Sequence, residues 1–254
     1  MANANILNCA IQSYKDYWDF LGTMRGITDI TGKICRLEGD IDYTYLVNLD
    51  ETALENDLDD IIEKIKSKEI GNEFKIIPEL YSPGIVDKII KVRPFKELGC
   101  SFGMAKDLSC EIYEKQNDKN IDVFRVNDIG QLKFCGAILN ACFEYDIFSF
   151  SHYLDAFNNH KIRFYFAEYK GIPVSSCMAM YGEEYVEIVW VGTIPGYRKK
   201  GIASRLIIQA ETDAIERSKK FAVLTALPEA KSTYEKLNYK QYYKSLGLAY
   251  QPEL

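Results

Sequence analysis

Val189-Trp190-Val191-Gly192-Thr193-Ile194-Pro195-Gly196-Tyr197-Arg198-Lys199-Lys200-Gly201-Ile202-Ala203 reads as the end of a strand, a turn and the first residues of a helix. Backbone N–H groups at such a helix start have no partner within the helix and point outward. With the positive end of the helix dipole they form a cradle for an anion. Gly201 and Ala203 keep bulk away, so a pyrophosphate can approach the backbone, and Arg198, Lys199 and Lys200 add positive charge beside it. The segment has neither the G-x-x-x-x-G-K-[ST] pattern of a nucleotide P-loop nor the G-x-G-x-x-G of a dinucleotide fold. Taken by itself, it also fits a solvated basic turn ahead of an amphipathic helix.

Outward from this segment the chain alternates between strands and helices. Residues 121–126 alternate as a strand, and Asp128 is placed to cap a helix carrying Leu132, Phe134, Ala137, Ile138 and Ala141. Strands are expected over residues 162–168, 174–181 and 185–191, broken by turns at Gly171-Ile172-Pro173 and Gly182-Glu183-Glu184. A helix over 203–217, a strand over 221–225, a short helix over 229–237 and a strand over 240–248 complete this half. The polar run Glu114-Lys115-Gln116-Asn117-Asp118-Lys119-Asn120 reads as a linker. Ahead of it lie a helix over 5–21, strands over 32–37 and 43–49, and a helix over 53–68 capped by Asp50 or Thr52. A strand over 74–77, a helix opening at Pro83 and a strand over 101–108 follow. The two orders are alike, which suggests an internal duplication in which only the second copy kept the chemistry.

The stretch from Val191 to Ala203 resembles the acyl-CoA pyrophosphate loop of the GNAT acetyltransferase superfamily, whose pattern is Q/R-x-x-G-x-G/A after its fourth strand. Pro228-Glu229-Ala230-Lys231-Ser232-Thr233-Tyr234-Glu235-Lys236-Leu237-Asn238-Tyr239 is similar to that family's A-x-x-x-Y-x-K-x-G-F segment. The resemblance implies an α/β fold with a mixed sheet, built as two tandem GNAT-like units: a degenerate one over 1–118 and a catalytic one over 119–254. It implies acetyl-CoA as co-substrate, with pyrophosphate held by Arg198, Lys199, Lys200, Gly201, Ile202, Ala203 and Ser204. Val189, Trp190 and Val191 match the strand that pairs with the pantetheine arm, and the thioester gap falls between 189–191 and 221–225. Tyr234 matches the general acid that protonates the departing thiolate, and a phenol with a pKa of about 10 is a proton donor at neutral pH. For the base that deprotonates the amine, Glu187, Glu184, Tyr185 and a water chain are all candidates. Two departures stand out: Leu227 replaces a frequent Asn or Ser, and Asn238 replaces a glycine, where asparagine still tolerates a left-handed helix end.

Composition narrows the alternatives. Apolar residues make up 47% and charged residues 27%, which suits a globular protein. A formal charge of −6 argues against general nucleic-acid binding. Residues 1–118 carry 22 acids and 14 bases, and residues 119–254 carry 15 and 17, so the halves differ in sign. Seven scattered cysteines, with no C-x-x-C and only 2 histidines, favour reduced, mostly buried thiols over disulfides or a metal site. No apolar run spans a bilayer and residues 1–20 lack a secretory pattern, so no membrane partner and a cytoplasmic location are expected. The expected function is N-acetyl transfer to a small-molecule or peptide amine by a monomer or homodimer. The alternatives are an acyl-CoA-sensing module and an acyltransferase with another donor. The aromatic stretch Phe143, Tyr145, Phe148, Phe150, Tyr153 and Phe157 reads as packing or acceptor lining, and the acidic run 55–60 as a wet helix face or a lure for a cationic amine.

Overall fold

The computed structural model describes residues 2–25, 27–29, 34–37, 44–46, 49–68, 71–109, 111, 119–143 and 150–252. Helix α1 (Ala2–Arg25) is followed by strands β1 (Ile27–Asp29), β2 (Ile34–Leu37) and β3 (Thr44–Leu46). Then come α2 (Leu54–Lys66), β4 (Glu73–Ile76), α3 (Ile85–Val92), β5 (Phe95–Asp107), β6 (Ile121–Arg125), α4 (Ile129–Phe143) and α5 (Phe150–Asn158). Next are β7 (Ile162–Tyr169), β8 (Ile172–Tyr181), β9 (Tyr185–Thr193), α6 (Ile202–Glu216), β10 (Phe221–Ala226), α7 (Lys231–Glu235) and β11 (Lys240–Tyr250).

Two compact units are built from this order. The first holds residues 1–14, 104–225 and 232–240, and the second holds 15–103, 226–231 and 241–254. The sequence placed one boundary at 118/119. The units instead exchange segments, because the end of β5 belongs to the first unit and β11 belongs mostly to the second.

In the first unit the strand order is β5-β10-β9-β8-β7-β6. The pairs β6/β7, β7/β8 and β8/β9 are antiparallel, the last two as hairpins, whereas β9 and β10 run parallel. A parallel neighbour needs a crossover long enough to return the chain, and α6 supplies it. One sheet face packs on α6: its Asp213 accepts a 2.8 Å hydrogen bond from the Tyr165 hydroxyl of β7. Ile202, Leu206, Ile207, Ala210 and Ala214 of α6 are buried, and each fully buried Leu or Ile contributes about 1.5–3 kcal/mol. On the opposite face lie α4 and α5, where the Tyr153 ring meets Phe164 edge-on at 6.2 Å. Asp128 caps α4 as expected, its carboxylate accepting the Gln131 N–H at 2.8 Å.

The second unit has the order β1-β2-β3-β4-β11-β5. Here β1/β2 and β2/β3 are antiparallel, β3/β4 parallel and β4/β11 antiparallel. The succession of three antiparallel strands, a crossover helix and a parallel strand thus occurs in each unit. Phe74, Ile76, Leu246 and Leu248 pack with Leu54, Leu58, Ile61 and Ile62 of α2 and with Ile85 and Ile89 of α3. Strand alternation sends Glu73, Lys75 and Gly247 to the other face.

Several local expectations change. β1 is an additional strand ahead of the two expected ones. Asp50 does not cap α2; it accepts the Thr52 N–H at 2.9 Å, and Ala53 occupies the cap position without a side-chain bond. The acidic run is not uniformly wet, since buried Asp57 accepts the Asp50 N–H at 2.9 Å and Asp59 holds Arg93 at 2.6 Å. Cys135 and Cys177 are buried free thiols, while Cys9, Cys100 and Cys142 are half-buried. Cys35, Cys110 and residues 144–149 of the aromatic stretch lie outside the described residues or their side chains. Among the described residues no helix is long and apolar enough to cross a membrane.

Gly103 of β5 lies against the buried Tyr243 ring, and a Cβ there would come within 2.0 Å of it. Gly103→Ala is expected to destabilise the protein by about 1–3 kcal/mol through overpacking. Chemical denaturation of the two proteins checks this, and equal midpoints would contradict it.

Candidate active site

The parallel ladder between β9 and β10 joins Tyr185 to Phe221, Ala222 to Val186 and Val223 to Glu187, and ends there. On its other side β9 pairs with β8 through Val189↔Met178 and Gly192↔Ser176. Trp190 and Val191 therefore oppose the single residue Cys177, which is a β-bulge. Trp190 takes a left-handed backbone, φ 54°, and its ring meets Tyr153 of α5 edge-on at 6.0 Å. A bulge bends its strand and increases the local twist. Past Val223, β10 accordingly runs on without the β9 ladder. The gap expected between 189–191 and 221–225 is shorter on the β10 side, because Phe221, Ala222 and Val223 are paired.

A 3₁₀ turn, Pro195–Tyr197, follows β9, and Arg198 folds back to donate to the Thr193 carbonyl at 3.0 Å. Gly201 is the cap residue of α6 at φ 77°, with no side-chain capping bond. Nothing lies within 4 Å of the position its Cβ would occupy. The N–H groups of 201–204 thus open α6 without a side-chain acceptor, in front of clear space. Arg198, Lys199 and Lys200 are exposed beside them, and the first turn of α6 holds no acid. Glycine is demanded at 201 by the left-handed backbone. This arrangement fits the diphosphate of an acyl-CoA.

Tyr234 of α7 is buried, and burial with the nearby Cys177 thiol pushes its pKa up to about 12. No hydrogen bond to its hydroxyl is formed by the described residues. The helix ends as expected of Asn238, which adopts φ 68° while the Tyr239 N–H returns to the Tyr234 carbonyl at 3.1 Å. The Tyr239 ring packs edge-on against Tyr234 at 6.1 Å.

Of the candidate bases, Glu187 is 1% exposed and accepts a 2.6 Å hydrogen bond from buried Ser13 of α1. It sits at the last rung of the β9/β10 ladder, on the same strand face as Val189. Glu184 pairs with Lys220 ahead of β9, about 16 Å from Val189 at the usual strand rise. Tyr185 folds over Gly182 in the β8/β9 turn. Glu187 is therefore the one of the three carried to the edge of the gap.

Three features escaped the sequence reading. Ser13 lies some 170 residues from its partner, with no motif to announce it. The Thr225 hydroxyl is buried without a partner just past the ladder, on the face of Val223. Its only signal is a polar residue in the apolar run Phe221-Ala222-Val223-Leu224-Thr225-Ala226. The third is a buried polar network. Glu211 of α6 accepts the Tyr239 hydroxyl at 2.6 Å and pairs with Lys106 of β5 at 3.2 Å, while Lys106 also reaches Glu111 at 3.4 Å. Glu211→Ala is expected to cost about 3 kcal/mol, because Lys106 and Tyr239 would each lose a buried acceptor. Urea denaturation reads this, and a loss below about 1 kcal/mol would refute the network's role.

The residues from 133 to 239 match the model of the acetyltransferase (GNAT) family. No curated protein matches the chain in sequence. Among solved structures, the fold is similar to a GCN5-related N-acetyltransferase from Kribbella flavida, with TM-score 0.72 at 16% identity over 98% of this chain and 96% of that one. A GCN5-related N-acetyltransferase from Sphaerobacter thermophilus gives TM-score 0.70 at 13% identity over 85% and 75%. A functionally unknown conserved protein from Staphylococcus epidermidis gives 0.60 at 13% over 89% and 94%. These likenesses concern the fold; the likeness to the GNAT family rests on the match from 133 to 239, which contains the bulged β9, the Gly201 cap and Tyr234. Residues 133–239, under half of the chain, thus match an acetyltransferase domain of the GNAT family.

Proposed function

We propose that the chain transfers the acetyl group of acetyl-CoA to a primary amine of a small molecule or an amino terminus, by direct attack on the thioester. The observation that carries this reading is the Gly201 cap: a left-handed residue opening α6, clear space before it, and three basic side chains beside it. The donor diphosphate would lie on the N–H groups of 201–204, with Arg198, Lys199 and Lys200 around it. The pantetheine arm would run along Val189, Trp190 and Val191, where β10 has left the ladder. The amine would lose its proton to Glu187, directly or through water, and attack the carbonyl carbon. The C–S bond would then break as the thiolate takes the Tyr234 proton. Holding amine and thioester together supplies much of the acceleration. The repeated strand-and-helix succession supports an internal duplication, with the second unit a degenerate copy.

Gly201→Glu is expected to abolish the rise in melting temperature that acetyl-CoA gives the wild type by binding only the folded state. If acetyl-CoA, CoA and longer acyl-CoAs all leave the wild type unchanged, the donor site is wrong. A longer acyl-CoA that outperforms acetyl-CoA would move the reading to another acyl transfer.

Tyr234→Phe is expected to lower kcat about 100-fold or more. Because the phenol pKa is raised to about 12, the acid form persists well past the usual phenol range. The loss in Tyr234→Phe should therefore be the same factor from pH 7 to pH 10, measured as CoA release against pH. A wild-type alkaline limb near pH 9 that vanishes in the variant would contradict the assignment.

A further inference from the structure

The second unit has a cleft of its own, ≈ 240 Å³ in volume, on the sheet face turned away from α2 and α3. Its floor is bare backbone at Gly99 of β5 and Gly247 of β11, two strands adjacent in the order. A Cβ on Gly247 would rest 3.4 Å from the Gly99 carbonyl oxygen and 3.5 Å from Leu98 Cβ, so the Leu98 side chain borders this glycine. Leu98 and Leu227, 51% and 53% exposed, wall the cleft with unburied apolar surface. Glu73 and Lys75 of β4 contribute one charge of each sign. Both point to the same face two residues apart, about 7 Å along the strand. Buried Ser101 and Ser245 also line it. Burial lowers the Lys75 pKa below the usual lysine range, with Glu73 opposing that shift, so the ammonium gains from a further anion in the cleft.

These observations restrict the ligand. Clefts for drug-sized molecules run to about 300–1,000 Å³, so this one suits a single small metabolite. A purely apolar ligand would leave Glu73 and Lys75 facing hydrocarbon, and a simple anion would leave Glu73 repelling it and the two leucines wet. A molecule with both charges and a short aliphatic arm satisfies all three features. We propose that this cleft binds a free aliphatic α-amino acid, its carboxylate on Lys75, its ammonium on Glu73 and its side chain between Leu98 and Leu227. Glu73 and Lys75 remain half-buried, so a ligand keeps a path from solvent. The site lies wholly in the second unit and does not rest on the donor reading.

Isothermal titration of the full chain, without acetyl-CoA, tests it. Leucine is expected to bind, and leucine methyl ester and 4-methylpentanoate, each lacking one charge, to bind at least tenfold more weakly. Lys75→Gln, Glu73→Gln and Leu227→Asp should each weaken leucine at least tenfold, while the acetyl-CoA response of the melting temperature is retained in the two β4 variants. Leu227 is exposed, so its variant tests the cleft even if a β4 substitution fails to fold. The proposal is overturned if leucine gives no heat up to tens of millimolar, if the ester or 4-methylpentanoate binds as tightly, or if Leu227→Asp binds leucine like the wild type. A failure of acetyl-CoA to bind would instead strike the donor reading and leave this one standing.

Discussion

The first unit is organised around the place where two parallel strands stop pairing. Backbone N–H and C=O groups in a sheet interior are costly to leave without partners. β9 and β10 nonetheless give up their ladder after Glu187 and Val223. The bulge at Trp190 and Val191 explains how. It puts two residues of β9 against Cys177 alone, and the backbone of Trp190 turns to φ 54°. A left-handed tryptophan is an uncommon conformation that persists only when its surroundings over-determine it. The Tyr153 ring against the indole is one such constraint, and the two regular β8/β9 pairs flanking the bulge are others. Strain of this kind places backbone groups at a strand edge inside the sheet, where an extended ligand arm can add as a strand.

Each remaining part of the site is held by something outside the motif. Gly201 begins α6, and the middle of α6 carries Glu211, which is buried between Tyr239 and Lys106. Tyr239 in turn closes the turn after α7 and packs on Tyr234. The helix that opens at Gly201 and the tyrosine matched to the acid are thus tied through one carboxylate. A buried, fully bonded network of this kind fixes geometry more than it adds stability, since replacing it by apolar residues can be neutral. Glu187 is fixed similarly, by Ser13 from the start of the chain.

The sequence was most legible where local chemistry decides the outcome. Asp128 caps α4, Asn238 takes the left-handed helix end, and Gly201 is the residue a positive φ demands. The central strands of the first unit read as near-continuous apolar runs because each buries side chains against helices on both faces. The long-range contacts were not legible. No local pattern links Ser13 to Glu187, or tells that β11 pairs with β4. The boundary drawn at 118/119 followed a polar run, whereas the division follows strand partners, which a linear reading does not contain. Asp50 was taken as a cap because its residue type favours one; its carboxylate instead closes a turn on Thr52, a competing use of the same short side chain.

The two units also differ in the electrostatics of their strand-to-helix turns. In each, three antiparallel strands lead into a crossover helix and a parallel strand. At the start of α6 the first turn holds no acid, the cap is glycine, and Arg198, Lys199 and Lys200 precede it. At the start of α2 the cap is Ala53, the first turn carries Glu55 and Asp57, and Asp50 and Glu51 precede it. Those carboxylates already satisfy the positive helix end and nearby N–H groups, since Asp57 accepts from Asp50 and Asp50 from Thr52. A diphosphate brought there would meet four negative charges and an alanine side chain instead of a bare backbone. The strand-to-helix turns of the two units therefore differ in charge and in cap residue, and of the two the turn before α6 is the one that suits an anion.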